Sequence, residues 1–253
     1  MCIRDRNRSK QVPAVVDGAV NPALTDPNRH LPEPQQLDWL TKGLTTGRTT
    51  WHLIGNQTVF TRVNALPSGP VLPGQVFNTD QWDGYQADQR TVLDAMKAAR
   101  TDPVVLTGDI HSSWASELPG DPARYSGGGN SVGVEFVCPS ITSDGFKESL
   151  GSAQAAQVAT VAARAVNPWV KYLEGIGHGF VVLDVTPARV QADFWFIRSG
   201  GDKGLLVDPR VDPDATVGYE TSFVSAKDSR RVTGPVAALG ARSDWPRSLV
   251  AAR

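Results

Sequence analysis

Cysteine is almost missing: Cys2 and Cys138 are the only two in 253 residues. That excludes a disulfide-stapled mini-protein and a zinc site built mainly from thiolates. An excess of one charge is missing too. Lysine and arginine total 25 against 26 aspartates and glutamates, a formal net charge of −1, so no chain-wide basic field exists to coat nucleic acid or to hold an anionic membrane. No apolar run approaches the roughly 18 to 20 residues of a membrane-spanning helix, and the longest candidates are short strand-like stretches such as residues 180–185. Residues 1–10 lack the apolar core, about 7 to 15 residues long, of a secretion signal. Internal repeats and low-complexity tracts are absent, which removes solenoids and propellers. So are the G-x-S-x-G elbow, the G-x-x-x-x-G-K-[ST] phosphate loop and the H-E-x-x-H zinc motif.

What remains is a folded, loop-rich composition: 40% hydrophobic and 20% charged residues with 24 Gly and 18 Pro, the size of one large domain or two small ones. Five prolines (Pro13, Pro22, Pro27, Pro32, Pro34) keep residues 11–34 out of a continuous helix. Behind Pro34, the spacing of Leu37, Leu40 and Leu44 predicts a short amphipathic helix, and residues 50–63 read as a strand. Val92, Leu93, Met96 and Ala99 predict a helix over 87–100, stopped at Asp102-Pro103 before a buried strand at 104–107. A further apolar segment covers 132–137, and an alanine-rich helix covers 152–166. Residues 180–185 and 189–197 form an antiparallel hairpin. The last 50 residues show no strong period and read as mostly loop with weak strands. Helix, turn and strand units followed by a hairpin imply an α/β (α+β) sandwich with a mixed sheet.

Three places carry candidate chemistry. After the strand at 104–107, Gly108 permits a tight turn, and Asp109 and His111 stand two residues apart, on one side of the chain if it stays extended. A carboxylate and an imidazole together suit Zn, Mn or Fe, with Ca acceptable to the oxygen. The bland alternative is a capping aspartate and a hydrogen-bonded core histidine. In the run Asp80-Gln81-Trp82-Asp83-Gly84-Tyr85, the residues Trp82, Asp83 and Tyr85 either rim a substrate pocket or anchor the loop and cap the next helix. His178, in Gly175-Ile176-Gly177-His178-Gly179, either faces a site or is an ordinary loop histidine.

Four blocks then resemble, in order, the C-terminal half of the PhoD-like alkaline phosphatase family: Trp-His-Leu-Ile-Gly-Asn-Gln at 51–57, Asp-Gln-Trp-Asp-Gly-Tyr at 80–85, Leu-Thr-Gly-Asp-Ile-His-Ser-Ser-Trp at 106–114 and Gly-Phe-Val-Val-Leu-Asp-Val-Thr-Pro at 179–187. The resemblance implies a metallophosphatase-like β-sandwich with flanking helices, incomplete at the N-terminus, with residues 1–200 as the C-terminal part of the domain and 201–253 as an unassigned tail. It implies hydrolysis of phosphate monoesters or diesters of small molecules, at a centre of iron with calcium, or with zinc or manganese, in a periplasmic or extracellular protein. Asp109 and His111 become metal ligands by this resemblance, and Trp82, Asp83, Tyr85 and His178 become residues of the substrate side. The family's upstream ligand blocks are missing, so a chain truncated at its N-terminus is expected, with Cys2 not a ligand. Two other functions stay open: a catalytically silent partial domain that acts only in association, and a hydrolase without metal.

Overall fold

Between residues 11 and 34 the prolines leave room for a two-residue ribbon, β1 (Val15–Val16) against β2 (Ala19–Val20), and one 3-10 turn at Pro22–Thr25. Helix α1 (Pro34–Thr46) then starts with proline in its first turn, where the missing N–H costs nothing. The structure is a computed structural model and describes residues 8–65, 72, 74–127 and 129–240; Cys2 and the end of the tail lie outside these.

The remaining order is β3 (Trp51–Gly55), α2 (Gln86–Ala98), β4 (Asp102–Thr107), β5 (Ser113–Pro119), β6 (Ser131–Val137), α3 (Phe146–Ser149), α4 (Ala153–Val166), β7 (Val170–Glu174), β8 (Gly179–Val185), β9 (Arg189–Ser199), β10 (Leu205–Leu206), β11 (Thr216–Ala226) and β12 (Thr233–Val236). One sheet has the order β3-β4-β6-β5-β7. In it β3, β4 and β6 run parallel, while β5 is antiparallel to both of its neighbours. The second sheet is antiparallel, with β9 at its centre between β8 and β11, β12 beyond β11, and β10 pairing the end of β9.

Side chains alternate across each strand, and the alternation builds the layers. Val104 and Phe136 face the second sheet, where they meet Val190, Ala192, Phe194 and Phe196 of β9. Val105, one residue on, faces the helices and packs with Leu44 of α1 and Val92 and Met96 of α2. The same sheet is covered beside β7 by α4, through Ala163, Trp169 and Leu173. Helices, mixed sheet and antiparallel sheet thus form three layers, the mixed-sheet sandwich that the pattern implies with the flanking helices that the resemblance implies. No helix among the described residues is long and apolar enough to cross a membrane.

Two local expectations change. The strand expected over 50–63 ends at Gly55. Residues 56–63 are irregular yet buried at Val59, Phe60 and Val63, and a buried irregular backbone needs partners for its amides. Glu135, on the helix side of β6, accepts the N–H groups of Phe60 and Thr61, both at 2.8 Å, and Asp83 accepts that of Val63 at 2.8 Å. The expectation of weak strands after residue 200 also gives way: β11 pairs with β9 along ten residues of register with one bulge. Its polar residues hide the period, and on its outer face Ser222 is buried while Val217, Tyr219 and Val224 are half-buried. Asp193 of β9 accepts from Ser222 Oγ at 2.6 Å and from the Leu239 N–H at 2.9 Å, so residues after β12 cover that outer face.

Candidate active site

Parallel strands aim their carboxyl ends at one rim of a sheet, and open α/β sheets hold ligands at that rim. Strands β3, β4 and β6 end there, and the residues just past them, Asn56, Gly108 and Cys138, line an open cleft of about 690 Å³ whose facing wall is Val181 and Leu183 of β8. Because β6 lies between β4 and β5 in the sheet, the turn from β4 to β5 must cross the end of β6. That turn carries Asp109 and His111.

Both residues have left-handed backbone, φ 72° for Asp109 and 56° for His111. The extended geometry expected for the pair is therefore replaced by a tight turn, closed by the Ile110 N–H on the Gly108 carbonyl at 2.9 Å. Left-handed φ costs a non-glycine residue on the order of 1 kcal/mol, and such conformations gather where a site over-determines them. Asp109 is exposed and His111 half-buried. The Nδ1 of His111 lies 2.8 Å from the Asp144 carbonyl oxygen. A carbonyl only accepts, so in the neutral ring Nδ1 holds the proton and Nε2 keeps its lone pair, which is the tautomer of an Nε2 metal ligand. Asp144 in turn meets Arg210 at 2.7 Å, and Arg210 also grips Asp208 at 2.5 Å, so a loop of the second sheet braces the loop that orients His111. The Arg210 hydrogen bonds hold the Asp208 carboxyl down at about 2.

As donors, Asp109 and His111 suit a hard or borderline cation. Among the described residues no group of three His, Cys, Asp or Glu side chains converges to hold one, so the pair supplies part of a coordination shell and no cage follows from it. Burial pushes the Cys138 thiol up, which keeps it protonated near neutrality and makes it a poor nucleophile.

The other anticipated residues lie behind this rim. His178 is buried at 2% exposure, with Nδ1 3.5 Å from Ser140 Oγ and Nε2 3.5 Å from Glu148 Oε1. At that separation Nε2 makes no hydrogen bond. The turn before His178 is held by Glu174, whose two oxygens accept the Ile176 and Gly177 N–H groups at 2.8 Å. Trp82, Asp83 and Tyr85 sit in the helix-side core. Trp82 Nε1 donates to Asn56 Oδ1 at 3.0 Å and its ring meets Phe60 edge-on at 4.9 Å. Asp83 faces Val63, Gln89 and, at 3.8 Å, Arg62, while burial lifts its pKa to about 6. The Tyr85 hydroxyl donates to the Ser9 carbonyl at 2.7 Å. Gly84 is required there because a Cβ would run into the Thr79 carbonyl. Of the three, Trp82 reaches a cleft residue, Asn56, while Asp83 and Tyr85 make their polar contacts within the core and with the Ser9 carbonyl, and α2 starts behind Tyr85 with no side-chain cap from Asp83.

Residues that pattern alone does not single out tie these parts together. Asn56 Nδ2 donates to Thr107 Oγ1 at 3.2 Å, and Thr107 Oγ1 donates to Glu135 Oε1 at 2.6 Å. Asn56 lies inside the 51–57 block, which was its available signal; Glu135 sits in an apolar strand that offers none.

The PhoD-like phosphatase family profile matches residues 3–194. The chain belongs to that family. It is 32% identical over 205 residues to alkaline phosphatase D of Bacillus subtilis (strain 168), a match that takes in 80% of this chain and 31% of that protein. A solved structure described as the structure of PhoD superposes with a TM-score of 0.68 at 26% identity, over 93% of this chain and 41% of the other. The mixed α/β sandwich is therefore a PhoD-like fold, and the chain spans less than half the length of the PhoD-like proteins it matches.

Proposed function

We propose that this chain carries the carboxyl-end half of a phosphoester-hydrolysing site, acting on phosphate monoesters or diesters of small molecules, in a protein that works outside the cytoplasm. The observation that carries the reading is the Asp109–His111 turn: two strained residues at the rim of the parallel strands, one of them with its tautomer fixed for ligation, in a family of phosphatases. Asp109 and His111 would hold a cation, iron or calcium by family resemblance and zinc or manganese by donor type, and a bound cation supplies Lewis-acid activation of the phosphoryl group and of water.

The chain's own residues do the rest. The Asp144 carbonyl keeps the His111 proton on Nδ1. Trp82 orients the Asn56 carboxamide at the rim, and the Thr107 hydroxyl bridges Asn56 to the buried Glu135. His178, packed between Ser140 and Glu148, stands behind the loop that carries Asp144, and we assign it a positioning part on the substrate side. A second reading is favoured by the outer edges of β3 and β8, which no strand among the described residues pairs: the chain is catalytically silent by itself and becomes a hydrolase only in association.

Hydrolysis of p-nitrophenyl phosphate and bis(p-nitrophenyl) phosphate, with and without a chelator, tests the proposal. Activity that the chelator removes, and that Asp109→Ala and His111→Ala each lower at least a hundredfold with circular dichroism unchanged, is expected. Chelator-resistant activity, or activity that survives both substitutions, overturns it, and inactivity of the parent supports the second reading.

A further inference from the structure

One polar contact near the Asp109–His111 turn reaches in from the second sheet. The Asp144 carbonyl orients His111, and Asp144 stands in the loop 138–145 between β6 and α3. That loop is pinned near both ends. The Cys138 N–H donates to the Thr107 carbonyl at 2.8 Å and the Gly179 N–H to the Ser140 carbonyl at 2.9 Å, while Glu148 accepts the Gly145 N–H at 2.9 Å. Gly145 lies so close to the turn that a Cβ there would come within 2.7 Å of the His111 carbonyl oxygen. Between these ties the Asp144 side chain is 63% exposed, and Arg210 Nη2 donates to its carboxylate at 2.7 Å.

The loop 207–215, between β10 and β11, aims the guanidinium before it meets Asp144. The Asp208 carbonyl accepts the N–H groups of Val211 at 3.0 Å and Asp212 at 3.3 Å, which closes a turn. The Asp208 carboxylate accepts the Arg210 N–H at 2.8 Å and Nε at 2.7 Å. Held down at about 2, that carboxyl stays ionised wherever the His111 imidazole is neutral. A planar guanidinium fixed through Nε and Nη2 on one carboxylate presents the same Nη2 to a second in a set direction. Arg210 is itself 48% exposed, and an ion pair so open to water adds little to stability. Its geometric effect outweighs its energetic one, because the His111 proton follows the carbonyl that Arg210 holds in place.

We propose that Arg210 is a positioning residue of the phosphoester site, holding the Asp144 carbonyl on His111 Nδ1 so that Nε2 stays free for ligation. The inference rests on the reading of His111 as a ligand. It draws into the site a segment beyond residues 3–194, the part that the family profile matches. A lysine at position 210 would carry the charge without the fork, and positions His111 only in part.

The test reads the imidazoles of the chelator-treated chain by long-range ¹H–¹⁵N correlation at about pH 8.5, where they are neutral, with His111→Ala identifying the His111 signals. Equilibrium dialysis against Zn²⁺ and Mn²⁺ runs beside it. The parent is expected to hold His111 as one tautomer, with the proton on Nδ1. Arg210→Gln should convert it to a mixture of both tautomers and weaken cation binding about threefold to tenfold. Arg210→Lys should fall between the two, and the urea midpoint should stay unchanged in both variants. A parent that is already mixed, or a tautomer that Arg210→Gln leaves as it is, overturns the proposal. So does a mixture that comes with a lowered urea midpoint, or one that Arg210→Lys does not reduce, since either assigns Arg210 to the fold. A His111→Ala chain that binds the cations as tightly as the parent overturns the ligand reading alone, and the tautomer result still decides the part played by Arg210.

Discussion

Two buried carboxylates set the chemistry of the core. Burial pushes Glu135 up to about 7 and Asp83 to about 6, and the Asp83 charge adds to the rise at Glu135. A carboxyl whose pKa is higher folded than unfolded binds more protons in the folded state across the interval, so its stabilising contribution is full at low pH and is lost as pH rises through the folded value. For these groups the loss runs from the ordinary carboxylate range to about 7. Asp208, held down by Arg210, works in the opposite sense at low pH, so the contribution of Glu135 is read as a difference between parent and variant. Urea unfolding at pH 5 and pH 8 should show Glu135→Gln less stable than the parent by about 2 kcal/mol at pH 5, because one amide would face a backbone N–H in place of an acceptor, with the gap narrowing at pH 8. A gap that widens with pH would show that the folded pKa lies below the unfolded one. None of this is legible in Ser131–Val137, where Glu135 stands as a lone charge in an apolar strand. A buried carboxylate is visible only once the segment it satisfies, 56–63, is seen to cross beneath it.

The elements divide by how local their determinants are. Helices α1 and α2 and strands β4, β8 and β9 follow from side-chain period and from proline and turn signals, and their bounds fall within a few residues of expectation. Strands β5 and β7 are set by tertiary pairing. Ser113–Pro119 mixes Ser113, Ser116 and Glu117 with Trp114, Ala115 and Leu118 and is buried throughout because β6 and β7 flank it, and no period marks it. After β4, the Asp-x-His spacing suggested extended backbone where Asp109 and His111 are left-handed, since a two-residue spacing cannot report that the chain must cross β6. Strand β9 holds the sandwich through Phe194, fully buried against Tyr172 at 5.0 Å and Phe223 at 6.3 Å. Phe194→Ala should cost about 3 to 5 kcal/mol in urea unfolding. A loss under 1 kcal/mol would mean that the two sheets do not share this core.

At the scale of the molecule, helices, mixed sheet and antiparallel sheet form three layers, and among the described residues no strand pairs the outer edges of β3 and β8. The family blocks at 51–57, 80–85, 106–114 and 179–187 made the fold class and the turn legible, because three of them are the rim and the supports beneath it, and the fourth is the cleft's far wall. The buried partners of Asp83 and Tyr85, the Val63 N–H and the Ser9 carbonyl, were not legible, since a motif marks residues without showing what they touch. The central claim is that Asp109 and His111 are metal ligands, and equilibrium dialysis of the chain against Zn²⁺ and Mn²⁺, beside an Asp109→Ala/His111→Ala variant, tests it most directly. The parent is expected to bind at least one of these ions tenfold or more tightly than the variant; equal affinity in the two proteins would contradict the claim.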